Sequence, residues 1–269
     1  MSGDRTLSHA GAGKRAATSG GVMRSLLAGV QWGLDRTVSI GYGVVYDYIF
    51  DQFPPYQALR GEVLARVESA VPAGAARRDV RVLEVDCGPG TFACILAEAG
   101  FSVVGVDPYS GLIDLAREKR RARRLSNLAF QHADLAQGNT FWESTFDQVV
   151  SVHSLYAHAE PRRLLGEIAR LLKPGGHLVV VNHTRRLGLL PTFGDVVRRD
   201  GLIAALRSLI WMVPNALFES GRKRVGPHYW DEDTFSTELR RAGFTVLEMR
   251  RTFLSDASLL VWARKDTDD

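Results

Sequence analysis

Short apolar runs alternate along the chain with segments whose apolar residues recur every three or four positions. VRVLEV at 80–85 is typical of a buried parallel strand, and TFACILAEAG at 91–100 is typical of a helix that ends at a glycine. The same alternation predicts further strands at 101–107, 128–134, 146–154 and 177–183, and further helices at 109–124, 161–172 and 231–243. Repeated strand–helix units require crossover connections, so we expect an open, mostly parallel sheet with helices on both faces.

The end of the chain departs from this alternation. FTVLEMRR at 244–251 and SLLVWARK at 258–265 follow each other without a helix between them, so they can pair as an antiparallel hairpin. The pattern therefore predicts an α/β fold whose sheet has seven strands, is mostly parallel and ends in an antiparallel hairpin.

Three other segments lie outside the repeating units. Residues 1–21 lack the apolar stretch of a signal peptide, and we expect them to form a flexible tail. Residues 22–75 contain an aromatic-rich run, which we interpret as an N-terminal helical lid. Residues 185–228 form a long insertion, and insertions of that length are commonly lids or binding segments. The ligand-binding core is then 76–184 together with 229–269, with the lid and the insertion at the carboxyl ends of its strands.

Composition and charge narrow the functional classes only slightly. The 269 residues are 45% hydrophobic and 24% charged, as in one globular domain, and no apolar stretch reaches the roughly 18 residues of a membrane span. The net charge is +4, and the pI of 9.2 comes from arginine runs such as 117–124 that are typical of solvated helix ends, so we expect no nucleic-acid partner. Cys87 and Cys94 form no disulfide framework, which favours a reducing, cytoplasmic compartment. No histidine or acid spacing indicates a metal site.

A glycine-rich turn with acidic neighbours carries the main functional signal. GPGTFA at 88–93 satisfies the relaxed pattern of dinucleotide-binding turns, but Glu84 and Asp86 precede it directly and would repel a pyrophosphate. A ligand with adenine and ribose, but with cationic groups in place of phosphates, would be attracted instead. Asp107 lies 19 residues beyond Gly88, a spacing that fits a carboxylate bound to both ribose hydroxyls. These residues together favour S-adenosylmethionine as the cofactor.

The chain resembles the class I S-adenosylmethionine-dependent methyltransferases over residues 76–184 and 229–265. Five segments carry the resemblance in the family's order and spacing: VLEVDCGPG, VVGVDPYSGLIDLAR, FQHADL, FDQVVSVHSLYAH and RLLKPGGHLVVVN. The resemblance implies a Rossmann-like fold, methyl transfer from S-adenosylmethionine and S-adenosylhomocysteine as the product.

The same resemblance implies a role for each residue of these motifs. The family usually has glycine at the position of Asp86, so this side chain would either crowd the cofactor or add a contact to its ammonium group. The other implied contacts are Glu84, Cys87, Gly88 and Gly90 at the methionine end, Asp107 at the ribose, Pro108 and Tyr109 beside the nucleoside, Ala133 and Asp134 at the adenine, and Ser151, His153 and Ser154 around the transferring methyl.

A weakly acidic acceptor would also need a base near the methyl group. We consider His153 first, followed by Tyr46, Tyr48, Tyr156 and His183. A structural role is an equal alternative for each histidine, and the two tyrosines of the YDY segment could instead pack as an aromatic edge of the lid.

The acceptor is expected to be a small molecule that is hydrophobic or lipid-like. GLIAALRSLIWMVP at 201–214 is apolar almost throughout and has arginines nearby, and VMRSLLAGVQWGL at 22–34 is a second apolar piece. Both are too short to span a bilayer, but they could roof a greasy acceptor, pack on each other as a lid, or make a peripheral contact with a membrane surface. In layout, the chain is similar to the quinone and phospholipid methyltransferases of the family.

Three alternative functions share part of this pattern. A nicotinamide-dependent oxidoreductase would use the same turn and Asp107, but Glu84 and Asp86 would serve it poorly. A nucleic-acid methyltransferase fits the pI, but SVHSLY at 151–156 lacks the paired prolines that enzymes acting on base amines often carry. A cofactor-binding protein without catalysis is the third alternative, because Asp86 departs from the family pattern. The sequence leaves the oligomeric state open.

Overall fold

One sheet organises the protein. The computed structural model describes residues 53–138, 141–185, 188–221 and 228–267. The strands within these ranges are β1 (Arg81–Val85), β2 (Ser102–Asp107), β3 (Leu128–His132), β4 (Phe146–Val152), β5 (Leu172–His183), β6 (Phe244–Thr252) and β7 (Ser258–Lys265). They form a seven-stranded sheet in the order β3-β2-β1-β4-β5-β7-β6.

The directions of the strands confirm the predicted topology. Strands β1 to β5 pair in parallel, whereas β7 runs antiparallel between β5 and β6. Parallel strands end at one edge of a sheet, so the carboxyl ends of β1, β2, β4 and β5 lie together. Because β7 is antiparallel, it begins at that same edge, where Ser258 pairs with His183. Residues far apart in the chain therefore meet at the carboxyl edge.

Strand β5 begins earlier than the sequence pattern predicts. Leu172 pairs with Phe146, and regular pairing resumes at His177, so residues 173–176 bulge out of the ladder. The KPGG segment at 173–176, which lies between the predicted helix 161–172 and the predicted strand 177–183, is therefore an irregularity within β5.

Helices cover both faces of the sheet. Side chains alternate along β5, so that Val179 and Val181 belong to one hydrophobic cluster while Leu178 and Val180 belong to the other. In chain order, the helices of the described residues are α1 (Pro54–Ser69), α2 (Thr91–Glu98), α3 (Ser110–Ala122), α4 (Pro161–Leu171), α5 (Leu189–Asp200), α6 (Leu202–Gly221) and α7 (Glu232–Arg241). The first cluster includes residues of α1 and α2, and the second includes residues of α4 and α7.

Helix α1 is part of the packed core. Leu59, Val63 and Val67 recur every fourth residue and are buried in the first cluster. The Gln148 side-chain amide on β4 donates to the carbonyl oxygen of Val67 at 3.0 Å, and Arg66 forms an ion pair with Glu248 at 2.6 Å. The segment that we interpret as a lid thus ends in a helix anchored to the sheet, and its residues 22–52 lie outside the described ranges.

The described part of the insertion contains two consecutive helices, α5 and α6. Ala205, Ser208 and Met212 are buried on one side of α6. Its opposite side leaves large apolar side chains exposed, with Ile203 70% and Ile210 64% exposed. The apolar segment therefore has a packed face and an exposed face. Within the described residues, no helix combines the length and the apolarity that crossing a bilayer requires.

Candidate active site

The turn after β1 is built from residues with left-handed backbone conformations. Asp86, Gly88 and Gly90 have φ values of 54°, 54° and 73°. The Cys87 amide donates to the carbonyl oxygen of Val106 on β2, and the Gly90 amide donates back to the carbonyl oxygen of Cys87, both at 2.9 Å. Aspartate tolerates this backbone region better than most side chains, which explains how the chain accommodates Asp86 where glycine is usual.

The two glycines of the turn have different surroundings. A Cβ atom on Gly90 would lie 2.4 Å from Phe130 and 2.8 Å from Ala116, so this glycine allows close packing of the turn on β3 and α3. A Cβ atom on Gly88 would have no heavy atom within 4 Å. The space beside Gly88 is therefore open to a ligand, whereas that beside Gly90 is filled by protein.

Asp107, at the end of β2, fastens the turn to the next helix. Its Oδ2 accepts the Gly88 amide and its Oδ1 accepts the Tyr109 amide, both at 2.8 Å. The carboxylate is only 3% exposed. Asp107 thus lies beside Gly88, at the position that the resemblance implies for the ribose contact.

Glu84 places a carboxyl group with an unused acceptor under the turn. The residue is 4% exposed, and its Oε2 atom is buried with no hydrogen-bond partner among the described residues. Burial raises the pKa of Glu84 to about 8, a rise that the Ala93 amide opposes and the Asp107 carboxylate reinforces. A cationic ligand would favour the ionised form of this group. The orphaned oxygen therefore fits the positively charged methionine end of S-adenosylmethionine.

The side chain of Cys87 points into the core. It is buried in the first hydrophobic cluster, and its Sγ would lie 3.0 Å from a Cβ atom on Gly105. Burial, followed by the charge of Glu84, raises the pKa of the Cys87 thiol well above its usual range. Cys87 thus contributes its backbone to the turn, and its thiol is not a reactive group.

The residues expected around the nucleoside lie beside the ends of β2 and β3. Tyr109 is 47% exposed at the start of α3, and the Ala133 amide donates to the Asp107 carbonyl oxygen at 3.1 Å. The Pro108 carbonyl oxygen accepts from His132 Nε2 at 2.8 Å. Asp134 accepts the Ala136 amide at 3.0 Å and lies 3.5 Å from His158 Nε2, so its carboxylate has local partners, and its adenine contact stays a prediction.

Two histidines stack at the ends of β4 and β5. The rings of His153 and His183 are 4.0 Å apart and 11° from parallel. The Ser258 hydroxyl bridges them, 3.0 Å from His153 Nε2 and 2.9 Å from His183 Nδ1, and Tyr56 Oη lies 3.2 Å from His153 Nδ1. Burial and the neighbouring His183 hold the pKa of His153 well below its usual range, and burial lowers the pKa of His183 to about 3. Both imidazoles are therefore neutral at pH 7.

A left-handed turn of non-glycine residues completes this aromatic cluster. The loop between β6 and β7 has positive φ values at Phe253 (58°), Leu254 (33°), Ser255 (50°) and Asp256 (59°), and the Ala257 amide closes it on the Phe253 carbonyl oxygen at 2.9 Å. Left-handed backbone costs roughly 1–2 kcal/mol for each such residue. The turn brings the Phe253 ring to 4.6 Å from Tyr56 and 4.9 Å from His153.

The remaining predicted residues flank the histidine pair. Ser151 and Ser154 share a hydrogen bond of 2.7 Å between their hydroxyl groups. Tyr156 is buried and packs edge-on against His183, with ring centroids 4.9 Å apart. Tyr46 and Tyr48 lie outside the described residues. Among the residues described, no cluster of histidine, cysteine and acidic side chains is arranged to hold a metal ion.

Sequence reasoning missed three members of the cluster: Tyr56, Phe253 and Ser258. Each belongs to a segment that resembles an ordinary helix or hairpin when read alone. Only the predicted pairing of β7 as an antiparallel strand could have placed Ser258 at the carboxyl edge.

Comparisons with known proteins agree with this architecture. A family model described as a methyltransferase domain matches residues 56–249. A demethylmenaquinone methyltransferase from Clavibacter sepedonicus is 32% identical over 172 residues, which are 63% of this chain and 67% of that protein. A ubiquinone/menaquinone biosynthesis C-methyltransferase from Campylobacter jejuni is 24% identical over 200 residues, which are 69% of this chain and 79% of that protein.

A solved structure shares the fold. The N-methyltransferase NodS from Bradyrhizobium japonicum, in complex with S-adenosyl-L-homocysteine, is 20% identical and has a TM-score of 0.55, with 81% of this chain and 91% of that chain covered.

Proposed function

We propose that this chain, which belongs to the methyltransferase domain family and is an S-adenosylmethionine-dependent methyltransferase, methylates a small, lipid-like acceptor that carries a hydroquinone ring. The family membership removes the nicotinamide-dependent oxidoreductase from the alternatives. The acceptor class rests on the names of the relatives, which act in quinone biosynthesis, and on the exposed apolar face of α6.

The observation that carries the cofactor side of the proposal is the orphaned Oε2 atom of Glu84, on the strand that leads into the turn with open space at Gly88. S-adenosylmethionine supplies an already activated methyl group when bound. We infer that Asp107 holds the ribose hydroxyls and that Glu84 faces the cationic methionine end. The chain must then orient the acceptor, exclude water and accept a proton from the acceptor. We propose that the proton is accepted at the carboxyl edge of the sheet, where His153 and His183 lie.

A methyl-transfer assay tests the acceptor class. The protein is incubated with S-adenosylmethionine and a prenylated naphthohydroquinone whose ring has an unsubstituted carbon, and products are analysed by mass spectrometry. We expect the acceptor to gain one methyl group while S-adenosylhomocysteine forms in equal amount. Methylation of an amine or of RNA under the same conditions, without methylation of the hydroquinone, would overturn the proposed acceptor.

We further propose that α6 contacts an anionic membrane surface, from which such an acceptor could be drawn. Its exposed apolar residues recur every three or four positions, so they form one stripe. Exposed arginines accompany this stripe, a combination typical of helices that lie in a membrane interface. The stripe consists of Leu202, Ile203, Leu206, Ile210 and Val213, and the arginines are Arg198, Arg199 and Arg207.

Sedimentation with lipid vesicles tests this contact. We expect binding to vesicles that contain phosphatidylglycerol, weaker binding at high salt, and loss of binding in the double variant Leu206→Glu, Ile210→Glu. Leu247→Glu is a matched control, because Leu247 is also an exposed leucine but lies on β6. Equal binding by the double variant and the control, or no binding by the unmodified protein, would contradict the membrane contact.

A further inference from the structure

Four side chains form a continuous hydrogen-bonded chain at the carboxyl edge of the sheet. Tyr56 Oη lies 3.2 Å from His153 Nδ1, His153 Nε2 lies 3.0 Å from Ser258 Oγ, and Ser258 Oγ lies 2.9 Å from His183 Nδ1. They come from α1, the end of β4, the start of β7 and the end of β5. Both nitrogens of one imidazole and a fully buried serine are therefore committed to a single chain of bonds.

The proton count along this chain allows two arrangements. The Ser258 hydroxyl has one proton, so it donates to one imidazole and accepts from the other. If His153 donates from Nε2, then Tyr56 donates to its Nδ1, and Ser258 donates to Nδ1 of His183. If His183 donates from Nδ1, then every bond in the chain reverses. The first arrangement becomes the second when a proton enters at Tyr56, each proton moves one step towards His183, and a proton leaves His183 Nε2.

Backbone strain is concentrated around this chain. His153 has a φ of 52°, and the neighbouring Phe253–Asp256 turn adds four more left-handed residues. Such strain persists where the surrounding structure fixes it, and it clusters at functional sites. Here the strained backbone holds His153 and Phe253 in place beside Tyr56.

We propose that Tyr56 and Ser258 complete a proton relay with His153 and His183, and that the relay takes the proton of a phenolic or hydroquinone acceptor. Tyr56 is the catalytic residue that contacts the acceptor hydroxyl, and Ser258 is a positioning residue that acts through the two imidazoles. The inference rests on the proposed function and adds to it the requirement that the acceptor lose a proton. An amine acceptor has a lone pair available without such a base.

The proton of the acceptor moves along the chain from Tyr56 towards His183. The acceptor O–H bond breaks and leaves its electron pair on oxygen, while the proton binds to Tyr56 Oη. The Tyr56 proton passes to His153 Nδ1, the proton on His153 Nε2 passes to Ser258, and the Ser258 proton passes to His183 Nδ1. One proton is taken up in total, and His183 carries the resulting positive charge. Among the described residues, the other titratable side chains near the pair are Tyr156, against His183, and Arg185, whose charge disfavours a lasting imidazolium. His183 therefore releases a proton from Nε2 to water and returns to its neutral form.

Nuclear magnetic resonance of the cofactor-free protein tests the relay without an activity assay. With ¹⁵N-labelled histidine at pH 7, we expect His153 and His183 each to be neutral, with ring nitrogen shifts coupled through Ser258. Ser258→Ala should change the tautomer populations of both rings, and Ser258→Thr should preserve them. Ser69→Ala is the control, because Ser69 is exposed at the end of α1. Ring shifts that are identical in the Ser258→Ala variant and the unmodified protein would overturn the relay.

Kinetics on the naphthohydroquinone provide the second test. Ser258→Ala and Tyr56→Phe should each lower kcat about 10- to 100-fold with KM and cofactor affinity nearly unchanged, and Ser258→Thr should restore most of kcat. The residual rate of Ser258→Ala should rise with pH as more acceptor ionises by itself. An unchanged kcat with normal product formation would overturn the relay alone. Absence of product from the unmodified protein would instead overturn the proposed acceptor, and the resonance experiment would then decide on the relay.

Discussion

The two halves of the site are assembled in different ways. The half that we propose faces the cofactor, called the cofactor half, comes from β1, β2 and the turn between β1 and α2, and its key residues lie between Glu84 and Tyr109. The half that we propose faces the acceptor, called the acceptor half, joins Tyr56, His153 and Ser258, whose mutual bonds span 97 and 105 residues of sequence. The first half is organised by charge and backbone amides, and the second by stacked rings and shared protons. A local motif can therefore define cofactor binding, whereas acceptor chemistry depends on the whole topology.

The largest effect is expected inside the cofactor half, at its two glycines. Gly90→Ala places a Cβ atom 2.4 Å from Phe130 at a φ of 73°, so we expect it to destabilise the fold by about 3–5 kcal/mol. Gly88→Ala has a similar φ but open space, so it should cost about 1 kcal/mol of stability and mainly impair cofactor binding. Chemical denaturation measures the stability of the two variants, and calorimetric titration measures their affinity for the cofactor. Equal losses of stability would contradict the division of roles between the two glycines.

The next effect is the dependence of stability on pH caused by Glu84. Its pKa is about 8 in the folded protein and near 4.5 when unfolded, so the native state binds the extra proton. The contribution of Glu84 to the free energy of unfolding should therefore be most favourable below about pH 4.5. Between pH 4.5 and 8 it should fall, by at most ~1.4 kcal/mol per pH unit. Glu84→Gln should flatten this slope in denaturation curves measured at pH 5 to 8. A slope that the substitution leaves unchanged would show that Glu84 is not the cause.

The same contrast between local and long-range structure determines which features could be predicted from the sequence. The strands, the antiparallel hairpin and the acids around the glycine turn follow from local patterns of charge and periodicity, whereas the order of the strands within the sheet does not. The left-handed turn at Phe253–Asp256 cannot be predicted in this way, because three of its four residues (Phe253, Leu254 and Ser255) are not types that favour positive φ, and tertiary packing imposes the conformation. The exposed face of α6 could not be predicted either, since an almost uniformly apolar segment does not indicate which side packs. The positions of His153 and His183 near strand ends indicate individually that they lie on the ligand side. That their rings stack and share the Ser258 hydroxyl can be seen only in the folded structure.

A smaller effect is expected for Asp107→Ala, which tests whether the cofactor half depends on one carboxylate. The change removes the acceptor for the Gly88 and Tyr109 amides together with the expected ribose contact. We expect cofactor binding to weaken by about 1.5–3 kcal/mol in calorimetry. Asp147→Ala is the matched control, because Asp147 also accepts a backbone amide, from Arg81, but lies at the opposite edge of the sheet. Comparable losses of affinity in both variants would contradict the assignment.

The smallest effect is expected for Asp86→Gly. Relief of the left-handed φ of 54° should stabilise the fold by about 0.5–1 kcal/mol. If the carboxylate attracts the ammonium group, cofactor binding should weaken slightly and become less sensitive to salt. Ser144→Gly relieves a φ of 50° at the other edge of the sheet and should leave the cofactor affinity unchanged. Tighter binding by Asp86→Gly would show instead that the side chain crowds the cofactor.

The claim that Glu84 supplies the counter-charge of the cofactor is tested most directly by the number of protons released when S-adenosylmethionine binds. Calorimetric titrations at pH 6.5, in two buffers with different ionisation enthalpies, measure this number. Glu84 is mostly protonated at that pH, because its pKa is about 8, and a bound cation should favour its ionised form. We therefore expect the unmodified protein to release up to ~1 proton for each cofactor bound. The control variant Ser258→Ala, which changes only the acceptor half, should release the same number, and Glu84→Gln should release essentially none. Equal proton release with and without the Glu84 carboxyl group would contradict the central claim that this buried acid is the counter-charge of the cofactor.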